Sequence, residues 1–234
     1  MDMPKYAALQ KVRDGKRTYA VTPRIPGGFI KPDKLIKIAE VTKKYKGVLK
    51  MTSGQRIMIT GLKAEDVEKI WEELDMEPAV KSPYSVKNVE MCPATFCKRM
   101  KQDSLRLGMR LEKRFYAAEA PNRTKIGVAG CRNACGSVHS KDIGVIGTKD
   151  EGYVVVAGGS AGFHPRLSDR IASDLTEDEA FIMVETIYEY YNNNAEFGTK
   201  LGHFIDEISI EKFRNDVMEL FNENLSKNKD KVLE

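Results

Sequence analysis

Apolar residues recur along the chain with two periods, and the stretches where each period holds delimit the elements. Val67, Ile70, Trp71 and Leu74 stand at i, i+3, i+4 and i+7, the stripe of an amphipathic helix over 66–74. An earlier helix opens at Lys31-Pro32-Asp33, carries Leu35, Ile36, Ile38, Ala39, Val41 and Thr42 on or near one face, and stops at Gly47. Short runs between turn residues read as strands. Thr18-Tyr19-Ala20-Val21 ends at Pro23, Pro26 and Gly27-Gly28. Val48-Leu49-Lys50-Met51 and Arg56-Ile57-Met58-Ile59 flank a Ser53-Gly54 turn. Residues 1–16 read as an irregular arm. The order strand–helix–strand–strand–helix is that of a ferredoxin-like half, α+β in class.

A boundary falls at 78–83, between Pro78 and Pro83. Beyond it the pattern predicts a helix over 104–116 and three strands, Lys125-Ile126-Gly127-Val128, Ile143-Gly144-Val145-Ile146 and Tyr153-Val154-Val155-Val156-Ala157. Gly158-Gly159-Ser160-Ala161-Gly162 reads as a flexible loop. Helices follow over 177–193 and 212–225, and 226–234 is a charged tail expected to fray. The chain therefore divides into 1–82, 83–205 and a helical tail, 206–234, with no internal repeat.

Composition narrows the class. The chain has 234 residues, of which 41% are hydrophobic and 31% charged, as in ordinary soluble proteins. A net charge of +4 is too weak to imply nucleic-acid binding. No run approaches a membrane span, and MDMPKYAALQ lacks a secretory pattern, so a cytoplasmic protein is expected. The cysteines change the picture most. They are Cys92, Cys97, Cys131 and Cys135, in two close pairs. In a cytosolic chain such thiols bind metal or do redox chemistry. Cys131 and Cys135 are i and i+4, and both thiolates would point to one side where a loop enters a helix. Gly130, Ala134 and Gly136 would let a bulky inorganic group approach the backbone. Spacing alone leaves open a [4Fe–4S] cluster, a four-cysteine zinc site, or four buried cysteines acting as small apolar residues.

The residues around the cysteines carry a resemblance. Met51-Thr52-Ser53-Gly54-Gln55-Arg56-Ile57, Lys87-Asn88-Val89, Cys92-Pro93-Ala94-Thr95-Phe96-Cys97 and Gly130-Cys131-Arg132-Asn133-Ala134-Cys135 resemble the sirohaem [4Fe–4S] sulfite and nitrite reductases. Lys141-Asp142-Ile143-Gly144-Val145, Gly158-Gly159 and Pro165-Arg166 follow in the family order, so the likeness spans about residues 20–195. The first cysteine pair is one residue narrower than is common there, which should alter a loop and keep the cluster.

The resemblance implies a ferredoxin-like half-domain followed by an α/β domain that binds sirohaem and a [4Fe–4S] cluster. It implies that Cys92, Cys97, Cys131 and Cys135 hold the cluster and that Cys135 bridges it to the sirohaem iron. No histidine ligand is needed, and His139, His164 and His203 are expected at the surface or in structural roles. Thr52, Gln55, Asn133 and Arg166 would contact sirohaem, whose carboxylates call for donors. Arg56, Lys87, Arg123 and Lys125 would act on the oxyanion, with Arg123 and Lys125 alternating on one strand face. The implied reaction is six-electron reduction of sulfite to sulfide. The alternatives are nitrite to ammonia at the same site, or a non-catalytic electron-transfer protein. Arg56 directly after Gln55 resembles the nitrite branch, and Lys87 stands where arginine is usual. No flavin or nicotinamide fingerprint is present, so a separate electron donor protein is expected. Larger members take their cations from one repeat and their cysteines from another. This single repeat carries both, which suggests a homodimer.

Overall fold

The computed structural model describes residues 3–12 and 15–230. Two compact units divide it, Met1–Lys81 and Ser82–Glu234.

The first unit is an antiparallel sheet with two helices. Part of the arm lies outside the described residues; the rest supplies β1 (Ala8–Leu9), which pairs with β2 (Tyr19–Val21). With β3 (Val48–Met51) and β4 (Ile57–Leu62) the strand order is β1-β2-β4-β3. The helices are α1 (Pro32–Lys44) and α2 (Val67–Leu74). Pro32 opens α1, where a missing N–H costs nothing, and a left-handed Asp75 closes α2. Ile38 and Val41 meet Ile59, Leu62, Ile70 and Leu74 in one core. Thr42 joins this buried face because its hydroxyl donates to the Ile38 carbonyl at 2.6 Å. Leu35 and Ile36, expected on that face, are exposed. The helix touches the sheet along a narrower stripe than the apolar pattern suggests. β3 is an edge strand exposed along its whole length.

The second unit is a mixed five-stranded sheet of β5 (Val86–Met91), β6 (Thr124–Ala129), β7 (Ile143–Gly147), β8 (Tyr153–Ala157) and β9 (Asp169–Leu175), in sequence order. The first three strands are parallel and the last two pairings are antiparallel. A helix, α3 (Ser104–Phe115), links β5 to β6. The link from β6 to β7 has no α-helix, only turns and a short 3₁₀ segment, Val138–Ser140. Three helices follow: α4 (Glu177–Asn194), α5 (Leu201–Ile208) and α6 (Ile210–Asp230). β5, β9 and α5 have no counterpart among the elements read from the sequence pattern.

The sheet has two unlike faces. Val89, Met91, Ile126, Val128, Val145 and Val155 join the core formed with the helices. On the other face Gly127 and Gly144 are register partners, and the β6–β7 link lies over them. A Cβ on Gly127 would sit 2.9 Å from Lys141 Cγ, and one on Gly144 would sit 2.7 Å from Val138 Cγ1. Two adjacent glycines thus create the groove that lets this link lie flat on the strands.

The sequence reading sets 206–234 apart as a tail. The described part is instead built into the second unit, because Phe213, Val217 and Phe221 are buried in the main core. Helix also continues through 226–230, where fraying was expected; 231–234 lie outside the described residues. Among the described residues no helix is long and apolar enough to cross a membrane.

Phe213→Ala should lower stability by about 3–5 kcal/mol, the loss typical of a buried phenylalanine. A urea unfolding midpoint unchanged within error would return α6 to the status of a tail.

Candidate functional site

Parallel pairing brings the cysteines to one end of the sheet. β5 ends at Met91 opposite Val128 of β6, and Cys92 follows immediately. Cys131 lies two residues past the end of β6. Two cysteine loops therefore leave adjacent strands at their carboxyl ends, where open parallel sheets bind ligands. The loops are tied together, since the Gly130 carbonyl accepts N–H bonds from Lys101 at 2.7 Å and Gln102 at 3.2 Å. Gly130 is required there, because a Cβ would lie 2.8 Å from the Gln102 carbonyl oxygen.

All four thiols are free, with Cys92 buried, Cys97 and Cys131 half-buried and Cys135 exposed. Two already accept N–H donors of the kind that stabilise thiolate. Gly130 N–H donates to Cys92 Sγ at 3.2 Å, and the Asn133 amide donates to Cys135 Sγ at 3.1 Å. Cys92, Ala94, Ala129, Val138 and Ile146 form a small apolar cluster beside them. The expectation that Cys131 and Cys135 enter a helix is not met. They lie in turns, with positive φ at Ala134, Gly136 and Ser137, so no helix terminus supports their charge. A Cβ on Gly136 would meet open space. Among the described residues no three His, Cys, Asp or Glu side chains surround a single metal-ion position. Four thiols with no histidine beside them among the described residues are a donor set that fits a [4Fe–4S] cluster, one thiolate to each iron.

Two of the four candidate cations lie on these strands, away from the cysteines. Lys87 and Lys125 are the second residues of β5 and β6, roughly 15 Å along the strands from the cysteine end. Asn88 is the register partner of Lys125. Arg123 precedes β6, so its expected alternation with Lys125 on one strand holds only for Lys125. The Lys87 ammonium donates to the Ser82 carbonyl at 3.2 Å. Lys125 is half-buried, and its ammonium has no hydrogen-bonding or ionic partner among the described residues. Burial first, then the nearby Lys141 charge, lowers its pKa; Arg123 adds to this, while Glu90 and Asp142 oppose it.

Four polar residues around Lys125 have no role assigned from sequence, although Lys141 and Asp142 fall in a matched stretch. Lys141 and Glu90 form a buried ion pair at 2.7 Å, with Glu90 Oε1 left unbonded. Asp142 accepts the Lys125 backbone N–H at 2.8 Å and pairs with Lys200 at 3.5 Å. Burial raises the Asp142 pKa against the lowering effect of Lys200 and this N–H. The available signals were a glutamate between the apolar Val89 and Met91 and the Lys141-Asp142 step before Ile143.

The remaining candidates divide in two. In the first unit, residues 52–56 form the β3–β4 turn. Thr52 N–H donates to the Arg56 carbonyl at 2.9 Å, and the Thr52 hydroxyl both donates to that carbonyl and accepts the Arg56 N–H. This presents Gln55 in a left-handed conformation at φ 58, against Gly28. Asn133 is exposed beside Cys135. Arg166 does not fit as a cofactor donor. Its Nε and Nη2 bond to Asp206, Nη2 also to Asp169, and Nη1 to the Gly158 and Leu167 carbonyls. All five guanidinium N–H groups are used within the fold, which makes Arg166 the anchor of the glycine loop to α5. In that loop region Phe163 and Leu167 are exposed, the kind of apolar surface a macrocycle would cover. His139, His164 and His203 are all exposed.

Comparison with known proteins agrees with this geometry. Residues 84–225 match the nitrite and sulphite reductase 4Fe-4S domain, and 10–77 match the nitrite/sulfite reductase ferredoxin-like half domain. An assimilatory-type sulfite reductase of Nitratidesulfovibrio vulgaris is 36% identical over 93% of this chain and 99% of its own length. A nitrite reductase [NAD(P)H] of Bacillus subtilis is 35% identical over 88% of this chain, but only 25% of that longer protein is covered. Dissimilatory sulfite reductase I superimposes with a TM-score of 0.76 at 14% identity, over 88% of this chain and 69% of its own. The Mycobacterium tuberculosis NirA protein gives 0.74 at 16%, over 90% and 42%. At such identities these two structures speak for the fold alone. With both halves matched in order and a relative aligned over nearly its whole length, the chain belongs to the nitrite and sulphite reductase family, enzymes that work with sirohaem and a [4Fe–4S] cluster.

Proposed function

We propose that this chain reduces sulfite to sulfide with six electrons from a separate donor, in the cytoplasm. The observation that carries sulfite is the alignment with the assimilatory-type sulfite reductase over 99% of that protein. A second reading, nitrite to ammonia, is favoured by the order Gln55-Arg56. Four unbridged thiols suit a reducing compartment.

Cys92, Cys97, Cys131 and Cys135 would hold the cluster, and Cys135 would also serve sirohaem. Thr52, Gln55 and Asn133 would contact sirohaem. When bound, sirohaem and the cluster would supply the redox chemistry of the reduction. Arg56, Lys87, Arg123 and Lys125 would bind and polarise the oxyanion. Lys125 is also suited to proton delivery, because its lowered pKa makes the ammonium a better acid than an ordinary lysine. Asp142 holds the Lys125 backbone and leaves its side chain free to act.

The distance between the cations and the cysteine end of β5 and β6 supports a homodimer in which each site takes cations from one copy and thiolates from the other. The exposed edge strand β3 is consistent with such an assembly.

Turnover with reduced methyl viologen tests the substrate. Sulfite should give the higher kcat/KM; a clear preference for nitrite transfers the assignment to the second reading. Arg123→Ala with Lys125→Ala should lower turnover about a hundredfold or more while the bound-cofactor spectrum persists. Activity that needs the Lys125 ammonium falls as pH rises through its pKa. Removing the like charge in Arg123→Gln raises that pKa, so the alkaline limb of kcat should move to higher pH. An unmoved limb removes Lys125 as the proton source.

Cys97→Ser should lose most cluster iron and acid-labile sulfide, with a fall in thermal stability, since cluster assembly is linked to folding. Full iron and sulfide in that variant would refute the ligand set. Light scattering of the cofactor-loaded protein at micromolar concentration should return twice the chain mass; the mass of one chain would eliminate the shared site.

A further inference from the structure

The sheet face that carries Gly127 and Gly144 has its polar side chains in rows. Register pairing puts Asn88 beside Lys125 and Glu90 beside Gly127, and the next alternate positions on this face are Cys92 and Ala129. Cys92 and Ala129 do pack together there, with Val138 of the β6–β7 link. Glu90 therefore stands two residues from the Asn88–Lys125 row and two from the cysteine, about 7 Å of strand in each direction.

Lys141 completes the middle row. Its side chain crosses Gly127, where a Cβ would lie 2.9 Å from Lys141 Cγ, and its ammonium donates to Glu90 Oε2 at 2.7 Å. Both residues are buried. Charges so far from water are weakly screened, and each acts over several ångströms. The other charged groups that face Lys125 are Arg123, before β6, and Asp142, before β7. Asp142 is paired with Lys200 at the head of α5 and also faces Tyr191 of α4. Arg123 and Asp142 stand at the strand ends away from the cysteines, whereas the Lys141–Glu90 pair lies between Lys125 and a thiol of the cysteine set.

We propose that Lys141 is a positioning residue of the reduction: held in place by Glu90, its charge acts on the Lys125 ammonium at one end of this face and on the cluster at the other. A positive charge there favours both the arrival of an electron at the cluster and the departure of a proton from Lys125, and the reduction consumes electrons and protons alike. No bond forms or breaks at the pair itself. The inference rests on the reductase reading for the role of Lys125, but its effect on the cluster is read without turnover.

The test uses the full, cofactor-loaded chain with Lys141→Met, with Glu90→Gln and with both. One readout is the alkaline limb of kcat with reduced methyl viologen. The other is the ratio of reduced to oxidised cluster at a fixed ambient potential, followed spectroscopically. Lys141→Met removes a positive charge, so the limb should move to higher pH by about half a unit or more and the ratio should fall about threefold or more. Glu90→Gln removes a negative charge and should move the limb to lower pH and the ratio upward. The double variant should fall between the two. If Lys141→Met fails to load its cluster, Glu90→Gln and the double variant carry the comparison, the second substitution reversing the shift caused by the first. A pair that served stability alone would lower the melting temperature of both single variants and leave the readouts where they were. A readout unmoved in both single variants, or shifts of the same sign in the two, would overturn the proposal. Absence of sulfite and nitrite turnover would count against the reductase reading, with the cluster ratio still deciding whether Lys141 acts.

Discussion

The packing of the β6–β7 link against a glycine pair is the constraint on which the rest of the second unit depends. Parallel strands need a long crossover, and a helix is the usual solution. Here the crossover is the cysteine loop itself. It lies on the sheet because Gly127 and Gly144, side by side, leave room for Val138 and Lys141. Either glycine with a side chain would push the loop away and carry Cys131, Cys135 and Lys141 with it. The helices occupy the opposite face, so one side of the sheet is committed to stability and the other to chemistry.

That second face carries unusual electrostatic strain. The Lys141–Glu90 pair is buried, and one Glu90 oxygen has no hydrogen bond. Deleting either partner would leave a buried charge, a change that typically costs about 3–5 kcal/mol. A well-packed apolar pair could be as stable, so stability does not explain its presence. Its position beneath Lys125 does offer an explanation: with burial, the Lys141 charge makes that ammonium readier to release its proton. Asp142 adds a second constraint by holding the Lys125 backbone N–H while paired with Lys200 at the start of α5. Folding energy is thus spent on the charge environment of one lysine.

Much of this was legible in the sequence, and the exceptions have physical causes. The stripe at Val67, Ile70 and Leu74 determined α2, and the run Tyr153–Ala157 determined β8, because local periodicity and burial agree there. The four cysteines and their neighbours pointed to the family without any coordinates. β5 went unread because Lys87, Asn88 and Glu90 interrupt its apolar pattern; these polar residues serve the functional face. The 206–234 segment read as a tail because its charged positions are visible in sequence while the burial of Phe213 and Val217 against distant helices is not.

Only the tertiary structure decided which charges are free. A net charge of +4 says nothing about where cations lack partners, and arginine looks alike whether paired or not. Arg166, a reasonable cofactor donor by motif, is saturated by Asp169, Asp206 and two carbonyls drawn from separate parts of the chain. Among the described residues the Lys125 ammonium has no such partner; only its backbone N–H is held, by Asp142 at 2.8 Å. The sequence by itself determined most strands and helices, the thiol set and the family. Hydrogen-bond and ion pairing are long-range in the chain, and they determined which of its many cations remain available for an anion.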